Sequence, residues 1–424
     1  MIHIKLLERF SGNKLVGNAS VYMLSNLFEK AIPFFILPAL IRFLSPEGVG
    51  YYTLFPSLLA ILLPLVGMSL DSAIILSYFK LDKRDFSSYF STGMYTLCGL
   101  TFLAAISIVI FRNALNAFTG FEFEWLLIVL LVAILQIITS LNKSIWQVLQ
   151  KPIVYAVFSV TQTLIKNGLS FFLVTLSSLD WKGIVVGHLI VQCLYAIYSF
   201  RYFINSGILC FSYDLILLKD LIRVGGPLSL HRIAAWLSDG LGRFVIVSVM
   251  GVVASGNFSI GLTFASIVMV TQDAFNRAWV PYLFKQLSHF TLSARDEIRK
   301  TIRLYYFIII IFALVIGLVG YTFIAYIFGA QYVDIRTLVF PLALAAAANG
   351  CYKMHVNIIF FAKKTNVILG ITVGIAALNI VLINFVVSKL GLLGAAYLMF
   401  FIQMTSFILT SMVAKKYYPE LQQN

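Results

Sequence analysis

The chain has 424 residues, of which 60% are hydrophobic and only 11% are charged, and its mean hydropathy is +0.94. Soluble domains carry about 25% charged residues. Because apolar runs of twenty or more residues recur from end to end, the composition excludes a soluble globular protein and predicts an all-α polytopic membrane protein. The formal net charge of +14 fits the basic loops of such a protein, so it does not call for nucleic acid as a partner.

The N-terminal segment precedes the first apolar run. Residues 1–16 are typical of an amphipathic helix that lies on the inner membrane surface. No short apolar stretch with a small-residue cleavage site opens the chain, so a removable signal peptide is not expected. The apolar runs that follow predict twelve spans, at 17–43, 51–79, 87–111, 125–149, 152–176, 184–205, 227–253, 258–284, 302–327, 337–361, 365–387 and 392–414.

Lysine and arginine are distributed unevenly between the loops that join these spans. With the N-terminus in the cytoplasm, nineteen of them fall in inner segments and four in outer loops. Because basic residues favour cytoplasmic loops, we expect both termini in the cytoplasm. The same distribution supports twelve spans, since a missed or extra helix would invert the sides of half of the loops.

Two halves of the chain follow one plan. The first span ends in LIRFLSPEGVGYYTLFPS (40–57), and the seventh ends in VMGVVASGNFSIGLTFAS (249–266), 209 residues later. Both segments predict the end of a helix, a tight outer turn and the start of the next helix. Six spans per half give both copies the same orientation, so the expected pseudo-two-fold axis runs along the membrane normal. The predicted organisation is an N-terminal six-helix bundle (17–205), a cytoplasmic linker (206–226), a C-terminal six-helix bundle (227–414) and a cytoplasmic tail (415–424).

Polar residues interrupt several spans, most strongly at 231–243, HRIAAWLSDGLGR. At 100° per residue, Arg232, Trp236, Asp239 and Arg243 lie on one helix face. An ionised side chain in mid-membrane costs at least about 2.5–3.5 kcal/mol, so this face needs a polar environment. Other spans carry comparable charges at Glu29, Asp71, Lys143, Lys166, Asp273, Arg277 and Lys353.

Two structural explanations for these charges stay open. Asp239 and Arg243, like Asp273 and Arg277, are spaced i, i+4, so each pair could form an intrahelical salt bridge that only neutralises charge. Lys143 lies near a span end and could extend its amine to the membrane interface.

The charges do not balance when they are summed over the spans. Seven basic residues, the six named above and Lys30, stand against four acidic ones, an excess of three positive charges. An excess of this sign around a water-filled cavity is expected if the transported molecule is an anion. Arginine suits a diphosphate, because its fork donates two parallel hydrogen bonds, whereas a cation antiporter would more naturally show an acidic excess.

Other chemistry is weakly represented. No glycine-rich phosphate loop with a following lysine is present, so neither an ATP site nor another cofactor is expected. The four cysteines lack metal-like spacing and indicate neither disulfides nor a metal site. The longest predicted outer loop, 112–124, carries Glu122 and Glu124, which are weak evidence for an outer-face polymerase, so we do not expect an enzyme. His188 and His355 are interpreted as packed side chains.

Four motifs in chain order carry a family resemblance. They are FLSPEGVGYYTL (43–54), DGLGRFVIVSVMG (239–251), AFNRAWVPYLF (274–284) and KLGLLGAA (389–396). Over essentially its whole length the chain resembles the O-antigen (Wzx-type) polysaccharide flippases of the multidrug/oligosaccharidyl-lipid/polysaccharide exporter superfamily. It departs from them at 254–258, where the acidic residue usual before the glycine after the seventh span is missing.

The resemblance implies a MATE-like fold in which two six-helix bundles enclose a V-shaped central cavity with alternating access. It implies transport of undecaprenyl diphosphate carrying one oligosaccharide repeat unit from the cytoplasmic to the periplasmic leaflet of the bacterial inner membrane, for O-antigen and lipopolysaccharide biosynthesis. The expected partners are this lipid-linked oligosaccharide, membrane lipids, an O-antigen polymerase and a chain-length regulator, but not nucleic acid. A cation-coupled multidrug efflux antiporter of the same superfamily is the alternative, whereas twelve spans disfavour the fourteen-span flippases of peptidoglycan precursors.

These considerations predict a basic cavity that holds the diphosphate. Its predicted basic residues are Arg232, Arg243, Arg277, Lys143, Lys166 and Lys353. Four acidic residues would orient these bases or release them by competing for them: Glu29, Asp71, Asp239 and Asp273. Glu29 and Asp71 are also the expected sites of coupling to a proton or sodium gradient.

Overall fold

A computed structural model describes residues 14–177, 179–288, 291–362 and 364–417, and these residues are almost entirely helical. The predicted interfacial helix at 1–16 and the predicted tail at 415–424 lie largely outside these ranges and stay predictions. The first eight helices are α1 (Lys14–Ile41), α2 (Pro46–Gly67), α3 (Leu70–Tyr78), α4 (Lys83–Ile110), α5 (Arg112–Thr119), α6 (Phe123–Val148), α7 (Pro152–Leu176) and α8 (Trp181–Asn205).

The second half of the chain forms six further helices and one short 3₁₀ helix. The α-helices are α9 (Leu215–Asp239), α10 (Leu241–Met250), α11 (Val252–Ser288), α12 (Leu292–Phe328), α13 (Arg336–Phe361) and α14 (Thr365–Tyr417). The 3₁₀ helix, Ala330–Ile335, precedes α13 directly.

The number of membrane-spanning segments follows from these lengths. Ten helical segments of the described chain are long and apolar enough to cross a membrane, and α9 and α10 form an eleventh candidate that is bent. The 53-residue α14 is interrupted at Gly391, whose φ of 60° and ψ of −151° are not helical. Counting the parts of α14 before and after Gly391 as two spans gives the twelve that the sequence predicts, in the predicted all-α polytopic fold.

Local residue chemistry sets several helix boundaries. The Ser45 hydroxyl accepts a hydrogen bond from the Gly48 N–H at 2.9 Å, and Pro46 takes the first helical position of α2. Gln150, with φ of 53°, lies between α6 and α7, where the sequence predicts the fourth span to end. Gly251, with φ of 88°, is the single residue between α10 and α11 and produces the expected tight turn.

Several predicted boundaries differ from the structure; α12, for example, begins at Leu292, ten residues before the predicted start of the ninth span. The predicted second span is broken at Met68 and Ser69, which have left-handed φ values of 44° and 48° and separate α2 from α3. The predicted outer loop at 112–124 contains the short helix α5, which ends at Gly120. The break in the second span follows Gly67 directly, but the two residues with left-handed backbone are neither glycine nor proline.

The described chain forms two compact units, which divide between Trp236 and Leu237. In the N-terminal unit, α6 packs against α2, α3 and α8. Its core includes the fully buried rings of Phe55, Trp146 and Phe203.

The division between the units lies inside α9, beyond the predicted linker at 206–226. Asp214 caps this helix by accepting a hydrogen bond from the Ile216 N–H at 2.7 Å, so the second half of the predicted linker is helical. Leu221 is fully buried, and the Trp236 indole donates to the Ser57 carbonyl at 2.8 Å. The first part of the seventh span therefore packs within the N-terminal unit.

In the C-terminal unit, α13 is the central helix and packs against α11, α12 and α14. The segment 342–348 of α13 is LALAAAA, and six of its seven residues are buried. Small side chains allow neighbouring helices to approach closely, which accounts for the central position of this helix.

Candidate functional site

A first group of charges joins three helices of the N-terminal unit. The Lys143 amine of α6 donates a hydrogen bond to the Glu29 carboxylate of α1 at 3.4 Å, and these side chains are 21% and 26% exposed. Lys166 of α7 lies close enough to interact electrostatically with both charges. We call Glu29, Lys143 and Lys166 the Glu29 cluster. One carboxylate between two ammonium groups leaves this cluster with a net positive charge.

Aromatic and amide side chains complete the surroundings of the Glu29 cluster. The Lys143 amine lies 5.9 Å from the centre of the Tyr155 ring. The Tyr155 hydroxyl donates to the Asn26 side-chain oxygen at 3.3 Å, and its ring packs edge-on against that of Tyr22. These contacts fix α1 against the start of α7 and position Glu29 on the side of α1 that faces Lys143.

A second pair in the same unit joins α3 to α9. The two terminal nitrogens of Arg232 donate to the two carboxylate oxygens of Asp71, both at 3.0 Å, and Nη2 also donates to the Ser72 hydroxyl at 2.9 Å. The break before α3 places Asp71 in its first turn, and a contact of 3.0 Å between the Ser69 and Ser229 hydroxyls fixes the two helices together. Since Asp71 occupies both terminal nitrogens, Arg232 can offer a phosphate the same two parallel hydrogen bonds only if this pair opens.

The C-terminal unit contains a third ion pair. The Lys353 amine of α13 donates to the Asp273 carboxylate of α11 at 2.5 Å. The sequence leaves open a pair between Asp273 and Arg277 within α11, and the structure pairs Asp273 with the neighbouring helix instead. Arg277 is exposed and forms no ion pair or hydrogen bond with any residue of the described chain.

Hydrogen bonds between amide side chains lie next to this ion pair and join helices of the C-terminal unit. The Gln272 amide of α11 donates to the Asn349 side-chain oxygen of α13 at 3.2 Å, and Asn349 donates to Gln403 of α14 at 3.0 Å. One helical turn after Lys353, the Asn357 amide donates to the Asn276 side-chain oxygen at 2.8 Å. Buried amides of this kind need partners, so these bonds fix the relative positions of three helices.

Arg243 lies in the first turn of α10, directly after the break at Gly240. With Asn379 and Gln403 it lines a small internal cavity of about 40 Å³, whose other walls are mainly aliphatic. A cavity of this volume has room for a few water molecules. Arg243 therefore belongs to the polar interior of the C-terminal unit.

The ten predicted site residues thus fall into different situations. Three acidic residues each hold one basic residue: Glu29 with Lys143, Asp71 with Arg232, and Asp273 with Lys353. Among the described residues, Lys166 and Arg277 have no carboxylate at ion-pair distance, and Arg243 lines an interior cavity. The side chain of Asp239 lies outside the described part of the chain, so its role stays a prediction, as does a cavity shared by the two units.

Some participants were not predicted. Five polar residues join the site that the sequence analysis did not single out: Ser72, Tyr155, Gln272, Asn276 and Gln403. Gln403 is the one amide side chain in a strongly apolar predicted span, so the sequence could have indicated it as a site residue. The described residues contain no group of three His, Cys, Asp or Glu side chains placed to hold a metal ion.

Comparison with known sequences identifies one family. Residues 15–287 match the family described as polysaccharide biosynthesis protein. A protein of Haemophilus influenzae (strain ATCC 51907 / DSM 11121 / KW20 / Rd), described as an uncharacterized membrane protein, is 25% identical over 362 residues, which are 83% of this chain and 85% of that protein.

Solved structures show the same fold. A multidrug resistance MATE family transporter of the MOP superfamily, in an inward-facing conformation, is similar with a TM-score of 0.72 and 15% identity over 97% of this chain and 99% of that one. The lipid II flippase MurJ is similar with a TM-score of 0.74 and 13% identity over 94% of this chain and 89% of that one. The first of these two proteins is described as a transporter and the second as a flippase. The chain therefore belongs to the polysaccharide biosynthesis protein family and has the fold shared by the MATE transporters and MurJ.

Proposed function

We propose that the protein is a flippase for an oligosaccharide linked to a polyprenyl diphosphate. It moves this lipid from the cytoplasmic to the periplasmic leaflet by alternating access, without hydrolysing ATP. Membership of a polysaccharide biosynthesis family supports a saccharide cargo, and the fold shared with a lipid II flippase supports a lipid carrier.

The observation that carries this proposal is the unequal pairing of charges inside the spans. Each of three acidic residues already holds one base, whereas Lys166 and Arg277 have no carboxylate at ion-pair distance among the described residues. Uncompensated positive charge in a membrane is costly, so it is retained where an anion uses it. A diphosphate supplies at least two negative charges and several acceptor oxygens for such groups.

The paired bases have a second role in this proposal. The fork of Arg232 binds Asp71 with the same two parallel hydrogen bonds that it would offer a phosphate, so the diphosphate can exchange with the carboxylate. Protonation of Asp71 or Glu29 would favour the exchange, because a neutral acid holds its base less strongly. Coupling to a proton or sodium gradient through these two acids is therefore part of the proposal.

The finer assignment follows the sequence resemblance. The proposed carrier is undecaprenyl diphosphate, the proposed product is O-antigen or a related surface polysaccharide of lipopolysaccharide, and the proposed location is the bacterial inner membrane with both termini in the cytoplasm. An O-antigen polymerase and a chain-length regulator would act on the translocated unit. The MATE fold also supports a multidrug antiporter, but the basic excess in the spans and the family match favour the flippase.

Deletion of the gene tests this proposal. We expect single lipid-linked repeat units to accumulate on the cytoplasmic side of the membrane, with loss of surface polysaccharide, when extracted lipids are analysed by mass spectrometry. Restoring the intact gene should clear the intermediate. Normal surface polysaccharide together with new drug sensitivity would support the antiporter instead.

A matched pair of point variants separates flipping from polymerisation in the same strain. Lys166→Gln with Arg277→Gln should leave the intermediate on the cytoplasmic side. Glu122→Gln with Glu124→Gln should behave like the intact protein. If the glutamate variant instead leaves flipped but unpolymerised units, the protein is an outer-face polymerase.

A further inference from the structure

A cavity of about 310 Å³ lies between α12, α13 and α14, within the C-terminal unit and apart from the site described above. Its lining residues come from the beginning of α12 and the ends of α13 and α14, on the side where the sequence places the basic loops. We call it the α12 cavity. Three of the residues that line it are basic: Arg299, Arg303 and Lys415.

None of the residues that line the α12 cavity is acidic. The nearby acids of α12 are bonded elsewhere in the described structure. Asp296 accepts from the Arg295 side chain at 3.0 Å, and Glu297 accepts from Tyr282 at 3.0 Å and from Gln286 at 2.9 Å. Among the described residues, neither Arg303 nor Lys415 forms a salt bridge, so the charges of these two side chains are available to an anionic ligand.

The deeper part of the α12 cavity contains neutral polar groups. The Tyr306 hydroxyl and His355 Nε2 are hydrogen-bonded to each other, and the ring of Phe407 packs edge-on against Tyr306 at a centroid distance of 5.6 Å. Ser411 adds a hydroxyl on the α14 side. These groups offer hydrogen bonds to an oxygen-rich ligand without contributing negative charge.

The remaining wall is aliphatic and lies along membrane-spanning helices. Ile298, Ile302 and Ile358 form part of it. A soluble anion would gain nothing from this apolar surface, whereas a lipid places its phosphate at the membrane surface and its glycerol and first methylene groups beside such side chains. Basic pockets between helices on the cytoplasmic side are suited to anionic head groups for this reason.

We propose that the α12 cavity binds the phosphate of an anionic lipid in the leaflet on the basic side of the membrane. Arg303 and Lys415, at its mouth, hold the phosphate oxygens, and Ser411 and the Tyr306–His355 pair contact the deeper part of the head group. The site is independent of the proposed transport cavity. It joins the α12 helix to the last span through a lipid.

The test uses the full-length protein, purified in neutral detergent and titrated with phosphatidylglycerol, with phosphatidylcholine as the zwitterionic comparison. Native mass spectrometry counts bound lipids, and thermal unfolding gives the apparent affinity. We expect phosphatidylglycerol to bind and raise Tm. Because each basic residue near an anionic lipid contributes about 1 kcal/mol, Arg303→Gln with Lys415→Gln should weaken this binding by roughly thirty-fold.

The matched control removes two charges from the same helices without touching the cavity. Lys300 and Lys416 are exposed and do not line it. Lys300→Gln with Lys416→Gln should retain the affinity of the intact protein. Equal losses in both double variants, or equal binding of phosphatidylcholine, would overturn the proposal.

A second variant guards against misfolding, and a competition identifies the lipid. Ser411→Met keeps every charge but fills the cavity, so it should also weaken binding; unchanged affinity in this variant would contradict the site.

Displacement of phosphatidylglycerol by a polyprenyl diphosphate would assign the cavity to the carrier lipid. If the polyprenyl diphosphate does not displace phosphatidylglycerol, the cavity is assigned to phospholipid. Inorganic diphosphate that binds as tightly as either lipid would overturn the lipid assignment.

Discussion

At the scale of single residues, three of the acidic residues in the predicted spans form ion pairs with bases on other helices. The sequence analysis placed Asp71, Arg232 and Asp273 inside predicted spans, and the structure places each of them in a helix. Periodicity reveals a helix face but not which helix lies opposite. The Asp71–Arg232 pair joins positions 161 residues apart, and Asp273 has Lys353 rather than the nearby Arg277 as its partner.

The Asp71–Arg232 pair predicts a measurable coupling. Arg232→Gln or Asp71→Asn alone leaves the other charge without its partner, so each should lower Tm in detergent. The double variant should lose less than the sum, with a coupling free energy on the order of 1 kcal/mol, because the pair is bidentate but 43% and 32% exposed. Strictly additive losses would show that the pair does not contribute to stability.

At the scale of helices, the apolar runs predicted the spans, whereas the breaks depended on details that hydropathy does not report. The turn at Gly251 was expected from its glycine. The break at Met68 and Ser69 was not, because neither residue type favours left-handed backbone. The first part of α9, from Leu215 to Gly226, was predicted as linker, because its first turns are amphipathic rather than apolar.

Gly391 offers a test at this scale. Its φ of 60° and ψ of −151° lie in a region that is accessible essentially only to glycine. Gly391→Ala should destabilise the protein by about 1–3 kcal/mol, seen as a lower Tm. Gly374→Ala in the same helix is the control, because no atom lies within 4 Å of its added methyl group and alanine favours helix. Equal effects of both changes would contradict a break at Gly391.

At the scale of the whole molecule, composition and hydropathy were sufficient to predict an all-α polytopic protein. The boundary between the compact units was not predictable, because it depends on side chains of α9 that contact distant helices. Ser229 and Trp236 attach the first part of that helix to the N-terminal unit. Which side of the membrane each loop faces stays a prediction from the basic residues.

Cys210, between α8 and α9, reports on that orientation. Burial alone would raise the pKa of its thiol, but hydrogen bonds from Ser87, Ser91 and Ser88 and from the Ser212 backbone lower it below the ordinary value of 9.0. The thiolate fraction at pH 7.5 is therefore larger than for an ordinary cysteine, and it rises to half at a pH below 9.0. Cys210 should react rapidly with a maleimide wherever it is accessible.

A single-cysteine variant makes the experiment specific. With Cys98, Cys193 and Cys351 replaced by alanine, a membrane-impermeant maleimide should label Cys210 in inverted vesicles and not in right-side-out vesicles. Lys182→Cys in a variant without native cysteines should show the opposite pattern, because the sequence places it outside. Labelling of Cys210 from the periplasmic side would reverse the predicted orientation.

The central claim is that basic residues without carboxylate partners hold a diphosphate-linked saccharide during its passage across the membrane. The most direct measurement is translocation of a fluorescent polyprenyl-diphosphate oligosaccharide in proteoliposomes. Lys166→Gln with Arg277→Gln should slow translocation at least about tenfold, the equivalent of one lost charge-assisted hydrogen bond. Lys80→Gln with Lys219→Gln, which removes two exposed charges outside the predicted spans, should translocate at the rate of the intact protein. Unchanged translocation by the Lys166 and Arg277 double variant would contradict the account.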